Sequence, residues 1–402
     1  MTTLRLLGRA SAFAAVFLTL ACGDSGPSTP IDLGPDPDSP ECRLSGNICT
    51  IIGNGRPGLG EDGVEPLAVR LYLPQDVSFG PDGAPYILDW NNHRVRTVTD
   101  GAVQTVVGTG ELGDASDGLA LEVSLNHPTH VSFNADGLML LSAWHNSKLC
   151  MIDLETGSFE TIAGTGAREF GGDGGPALEA LFDLPVAADY DSQGRIWIMD
   201  QANQRIRRIN VDGTIETVLG PQEELPRWPR GFGGDGGPAI DAMINLPVSQ
   251  SASPGGKLHV GPDDTVYFAD SGNHRIRAIL SDGTVTTLAG SGPDEYDPDF
   301  KGGYAGDGGP ATSALLKRPT DIAIGPDGTL YIADTDNHCV RQVTSDGIIS
   351  TAAGTCVQRG YGGDADVATS ALLDRPYGVE VDADGFLYIA DTHNHRIRRV
   401  VP

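Results

Sequence analysis

Three side chains able to ligate a cation stand two places after a proline: Asp76, His130 and Asp321, after Pro74, Pro128 and Pro319. Two carboxylates and an imidazole would suit one divalent ion. The same place elsewhere holds Ala187, Ser249 and Gly378, which fits a hydrated polar channel and no metal at all. A second set recurs as Asp-x-x-Asn-His-Arg-Ile-Arg. Its arginines come in pairs (Arg94 with Arg96, Arg205 with Arg207, Arg275 with Arg277, Arg396 with Arg398) on one strand face, where their stems can cover a sheet and their heads can pair with repeat carboxylates. That recurrence predicts packing rather than catalysis. A third set, Gly-Asp-Gly-Gly-Pro-Ala at Asp173, Asp235 and Asp307, reads as a cap on a short helical turn. No Asp-x-Asp-x-Asp-Gly calcium loop, Gly-x-Ser-x-Gly elbow, phosphate loop or paired Cys-x-x-Cys accompanies them.

The elements that must position these residues form a repeat. One unit reads proline, an apolar alternation, an Asp-Gly turn, a second apolar strand ending in Asp, an Arg-rich strand, and a fourth strand ending in Gly. The opening prolines are Pro74, Pro128, Pro185, Pro247, Pro319 and Pro376; the terminal positions are Asp89, Ala143, Asp200, Asp270, Asp334 and Asp391. The interval is 15 residues in every copy but the fourth, where it is 23. Four short strands per copy predict an all-β, six-bladed β-propeller of four-stranded antiparallel blades. The chain stops after the third strand of the last copy, and an orphan strand lies at 48–52. Pairing the two closes the ring and hides the edges.

On these residues, and on the Asp-x-x-Asn-x-Arg-Ile-Arg block above all, the chain resembles NHL-repeat proteins of the TolB-like six-bladed propeller group. The Gly-Asp-Gly-Gly-Pro-Ala connections resemble those of the long-repeat bacterial and teneurin-type branch. The resemblance covers about nine tenths of the chain. It implies chiefly a protein- or ligand-binding scaffold, with a few enzymes among the relatives. The amidating lyases carry histidines one place after the proline; here Gln75, Thr129, Val186, Val248, Thr320 and Tyr377 stand there, so that chemistry is not expected.

The N-terminus reads as a processing segment. Arg5 and Arg9 precede an uncharged run to Ala21, as in a signal peptide over 1–21, and Cys22 stands where a bacterial lipoprotein is acylated. Residues 22–41, rich in proline and acid, read as a disordered tether, and 42–402 as the propeller. The expected location is the cell envelope, as an outer-membrane or surface lipoprotein, with plain secretion as the alternative. Cys42 with Cys49 and Cys339 with Cys356 are candidate disulfides in an exported protein. Cys150 is left over as a packed thiol. With 27 Lys and Arg against 54 Asp and Glu, the net charge of −27 argues against nucleic acid. It also leaves the lipidated N-terminus as the expected membrane contact. The 54 glycines, about twice the usual share, fit a chain of many tight turns.

One sector breaks the near-symmetry. From the Gly ending a fourth strand to the next loop Asp there are 9 residues at Gly53–Asp62, Gly108–Asp117 and Gly164–Asp173, but 15 at Gly220–Asp235 and 17 at Gly290–Asp307. Both long connections and the expanded proline interval flank the fourth blade. They carry Arg227, Trp228, Arg230, Phe232, Tyr296, Phe300 and Tyr304, which is binding-surface chemistry. The expected function is therefore a non-catalytic, envelope-anchored scaffold for a protein or extracellular ligand, with no cofactor required. The alternative is a metal-dependent hydrolase, lactonase or lyase at the mouth of the axial channel, taking a divalent cation.

Overall fold

The structure, a computed structural model, describes residues 36–220, 230–248, 253–293 and 295–402. All of them fall in one compact unit, Leu33–Pro402. Six antiparallel sheets follow one another, each built on four blade strands; those of blades two and six add a two-residue fifth strand, Gly118–Leu119 and Asp366–Val367. The first is Asp76–Phe79, Pro85–Asp89, Arg94–Thr99 and Ala102–Val107. Each first strand touches the first strand of the next blade, from blade one through blade six and back to blade one, which makes a closed ring. Regular helix is confined among the described residues to single 3₁₀ turns, and no helix there is long and apolar enough to cross a membrane.

Closure follows the expected course. Asn47–Ile52 pairs with the last strand, Arg396–Val400, with Ile48 opposite Val400 and Ile52 opposite Ile397. The Cys42–Cys49 disulfide ties the chain entering this strand to the strand itself, and Pro37 accepts a hydrogen bond from Arg399.

The core is not central. Six apolar clusters lie one at each blade-to-blade interface, for example Leu88, Val95 and Val107 of blade one against Val131, Leu141 and Ile152 of blade two. Both faces of each sheet are therefore covered, and the apolar alternation of the strands is spent between blades. What remains for the axis is the polar side of the first strands. The outer edges are covered too. Each loop after a fourth strand lies along the next blade's outermost strand, and in three blades the contact is made by a proline, Pro176, Pro238 or Pro310, which offers no donor to a passing strand.

Candidate functional site

Alternate residues of each first strand face the axis. Near the start of these strands the ammonium of Lys257, 2% exposed, donates to Asp76 Oδ1 at 2.9 Å, Asp321 Oδ2 at 2.9 Å and the Gln75 carbonyl at 3.1 Å. His130 Nδ1 lies 2.7 Å from Asp76 Oδ2. The three residues expected to share a cation do come together. The cation between the carboxylates, however, is the chain's own lysine, and among the described residues no group of three His, Cys, Asp or Glu is arranged to hold a metal ion.

Burial opposes the charge on Asp76, but Lys257 and His130 outweigh it and hold that carboxyl below its ordinary value. Burial raises Asp321, and Lys257 does not fully offset it. Lys257 itself is held charged, its loss of water outweighed by Asp321 and Asp76. A tier below, Asp189 accepts from Val260 N at 2.9 Å, and Glu380 is pushed up to about 8 by burial and by Asp76, Asp321 and Asp189. These axial groups spend their hydrogen bonds on one another and on strand N–H groups. Lys257 links blades one, four and five across the axis through Asp76 and Asp321.

Counting two places from Pro247 points to Ser249 and misses Lys257. Counting back 13 from each terminal position gives Asp76, His130, Ala187, Lys257, Asp321 and Gly378, the residues that share this tier. The eight-residue expansion shifts the proline-based frame in the fourth blade only.

The Asp-x-x-Asn-His-Arg block is a lock, as its recurrence suggests. In blade three, Asp200 accepts from Asp183 N at 2.9 Å and Asn203 Nδ2 at 2.8 Å, and Arg207 lies 3.5 Å away. The fully buried Arg207 also donates to Asp173 at 2.6 Å and to the carbonyls of Gly171 and Leu181 at 2.8 Å each. The other Asp173 oxygen accepts from Thr217 N and Oγ1. Asp62–Arg96, Asp235–Arg277, Asp307–Arg341 and Asp364–Arg398 repeat the latch. The helix-cap reading of these loop aspartates is thus corrected: the 3₁₀ turn Ala177–Glu179 starts after Pro176 with no side-chain cap, because the carboxylate is engaged by arginine and threonine.

In four blades, with Ser147 taking its place in blade two, a histidine follows the Asn and sits in the left-handed region (φ 54° at His93, 58° at His274), its Nδ1 accepting an N–H from the next blade, 2.9 Å from Arg318 N for His274. That role needs the neutral ring. Burial lowers His274 and His395 to about 4. In blade three Gln204 does the same work, accepting from Leu246 N at 2.8 Å.

The blade-four residues separate into two groups. Arg230, Tyr296 and Phe300 line one cleft of about 270 Å³ with Lys301, Arg318 and His274, and Phe300 stands edge-on to His274 at 5.4 Å. Phe232 and Tyr304 belong to the lock instead. Phe232 lies under Arg275 at 3.8 Å and Tyr304 under Arg341 at 4.9 Å, as Phe170 lies under Arg205 and Tyr361 under Arg396. All four stand three residues before the loop Asp, a periodicity that separates them from the true insertions. Tyr304 remains partly exposed and donates to Asp307 at 3.0 Å. Arg227, Trp228 and Cys22 lie outside the described residues. Cys339 and Cys356 form a disulfide, and Cys150 is a buried free thiol pushed up to about 12 by burial.

Residues 47–230 and 274–344 match the Teneurin NHL domain, and 373–400 match the NHL repeat. Teneurin-m of Drosophila melanogaster is 27% identical over 364 residues, covering 83% of this chain and 12% of that protein. Teneurin-4 of Homo sapiens is 29% identical over 397 residues, covering 87% and 13%. The chain thus spans about an eighth of the length of these relatives. A solved Bacteroides thetaiotaomicron protein of unknown function shares the fold (TM-score 0.61, 18% identity, 88% of this chain and 75% of that one). So does an auxiliary nutrient binding protein of the same organism (TM-score 0.59, 15% identity, 88% and 75%). The matched stretches make up more than half of the chain, which therefore belongs to the Teneurin NHL domain family.

Proposed function

We propose that this NHL propeller is an exported, non-catalytic scaffold that binds a protein or extracellular ligand at the cleft between blades four and five. The observation that carries the reading is the meeting of Arg230, Tyr296, Phe300, Lys301 and Arg318 around one concavity. Aromatic rings supply buried area at low entropic cost, and guanidinium groups supply direction, on a molecule otherwise of net charge −27. At the axis the candidate ligands Asp76 and Asp321 are engaged by Lys257, which favours the cleft for this role. Two disulfides support an oxidising compartment. The fold neighbour described as an auxiliary nutrient binding protein is consistent with a binding role.

The anchoring reading rests on the first 41 residues, with Cys22 acylated and 22–41 acting as tether. A fatty-acid analogue should label the wild type and not Cys22→Ser; equal labelling, or none in either, leaves simple secretion. For the cleft, envelope extracts passed over the immobilised body should yield a partner whose retention falls with Arg230→Ala/Phe300→Ala while the melting temperature stays put. Retention that survives this change, but is lost on altering the connections near Asp117 or Asp173, would move the site across the ring.

A further inference from the structure

The second blade departs from the lock that holds the other five, and among its changes both buried charged positions are lost together. The terminal Asp is Ala143, and the buried arginine seven places on is Cys150; both are fully buried. Five blades thus bury a carboxylate and a guanidinium, and the second buries neither. Losing one alone would have left an uncompensated interior charge.

The loop that would receive the guanidinium is nevertheless retained. Asp117 stands where Asp62, Asp173, Asp235, Asp307 and Asp364 each accept an arginine. It keeps the threonine half of the latch, accepting from Thr161 N at 2.8 Å, and has no arginine or lysine within ion-pair distance among the described residues. Lys148, on the strand of the missing arginine, donates to the carbonyls of Asp114 at 2.9 Å and Ala115 at 3.3 Å; the Asp117 carboxyl is held below its ordinary value chiefly by its hydrogen bonds from Thr161, with Lys148 adding a longer-range pull. Ala115 turns inward with φ 46° and joins the apolar cluster that holds Cys150 and Ala143, so the buried half of the cradle is sealed. The outer half stays open. It is a hollow of about 340 Å³ inside the 114–124 loop, lined by Asp114, Asp117 and Glu122 with Ser116 and Ser124. Leu112, Leu119 and Leu121, between 52% and 62% exposed, stand beside it in the chain.

We propose that this hollow receives from outside what the other blades supply from within: an arginine side chain of a partner, carried on a segment with apolar flanks. The chemistry of recognition is already written five times in the chain, as a loop carboxylate fastened by threonine and accepting a guanidinium. In blades three and four two guanidinium nitrogens meet one loop-carboxylate oxygen, which a lysine cannot reproduce, and the three carboxylates here supply the charge to draw an arginine. The exposed leucines offer the apolar contact that a bare ion pair at a surface lacks. This surface is independent of the blade-four cleft.

The test uses the full propeller and the probe acetyl-Leu-Arg-Leu-amide, with acetyl-Leu-Gln-Leu-amide and calcium chloride as controls, followed by titration calorimetry and by amide shifts of residues 112–124. The arginine peptide should bind, the glutamine peptide should not, and Asp117→Asn should weaken binding by about tenfold or more. Supplying the missing pair in cis, Ala143→Asp with Cys150→Arg, should abolish it. That double variant alters the interior, so Asp117→Asn, an exposed change expected to leave the melting temperature nearly unmoved, decides the matter if the double variant does not fold. Equal binding of the two peptides, no binding at millimolar peptide, retention of affinity in Asp117→Asn, or a response to calcium alone would each overturn the proposal.

Discussion

Replacing Lys257 by methionine tests whether an internal charge closes the axis. The substitution keeps the length of the stem and removes only the ammonium, which sits 2.9 Å from both Asp76 and Asp321. Both carboxylates are almost fully buried, so Asp321 would lose its counter-charge and Asp76 would keep only His130, at 2.7 Å. Removing one partner of a buried pair costs about 3–5 kcal/mol. For a body of this size that is roughly 4–7 °C in melting temperature at pH 7. The pH dependence has a definite sign. Burial already holds Asp321 above its ordinary value, and loss of Lys257 raises it further, while Asp76 loses its largest offset to burial. A raised carboxylate pKa favours the folded state at low pH, and that advantage is lost as pH rises through the folded value. The deficit relative to wild type should therefore be large at neutral pH and shrink toward pH 4. Adding Asp321→Asn to Lys257→Met should recover part of the loss at pH 7. Thermal melts followed by far-ultraviolet circular dichroism at pH 4.5 and 7.5 read both effects. A melting point within about 1 °C of wild type at neutral pH, or a deficit that does not change with pH, refutes the account of the axis.

Other outcomes follow from the lock and the ring. Asp200→Ala and Arg207→Cys should each destabilise strongly, while the double variant, which copies the natural Ala143 and Cys150, should cost less than the sum by about 1–3 kcal/mol; additive chemical-denaturation energies would refute a coupled pair. His274 has its folded pKa lowered to about 4, so its share of stability is present above the unfolded value and lost as pH falls from about 6.5 toward 4. His274→Gln, which reproduces the acceptor that Gln204 supplies in blade three, should keep neutral-pH stability and flatten that acid loss, read as the difference between two melting series; identical slopes would count against the inter-blade acceptor role. Deleting residues 42–53 removes the closing strand, the Cys42–Cys49 disulfide and the Thr50 N–H bonded to Asp364 at 3.0 Å. It should broaden the unfolding transition and expose an edge that promotes association, and a truncation that melts like the parent would refute closure at this strand.

The architecture was legible because it is repeated. Proline-to-Asp spacing, turn glycines and the orphan strand at 48–52 each state the same plan six times or close it, and local signals that agree with the global fold are the readable ones. The disulfide candidates were legible for a simpler reason: each pair flanks a single turn or hairpin. Lys257 was not, because the expansion after Pro247 breaks the frame from which its position would be counted. The role of Asp173 and its counterparts was misread, because a carboxylate before Pro-Ala looks locally like a cap, and its true partner lies 34 residues on in another strand. Phe232 and Tyr304 were grouped with the blade-four insertions because they lie next to them in the chain. Only the view across blades shows that they stack on arginines as Phe170 and Tyr361 do.

A six-fold repeat also makes departures informative, since each has five internal controls. The repeat's needs are met by the Asp–Asn–Arg block, the loop Asp with its threonine, and the histidine or glutamine acceptor. Residues that satisfy these needs require no functional explanation, however chemical they look. The departures gather in two places, and they differ in kind. Around blade four the loops lengthen and bring arginine, lysine and aromatic rings to one cleft while the lock stays intact, with Arg277 still bound to Asp235 at 2.6 Å and Asp270 at 3.2 Å. In blade two the connection keeps its nine-residue lead, but the lock itself is emptied as a charge-balanced pair and its loop carboxylate is left facing outward. Drift that removed Arg alone would be selected against by the stranded Asp, and the reverse holds as well. Their joint absence, with Asp117 and Thr161 retained, is what a site turned from internal cohesion to external contact requires.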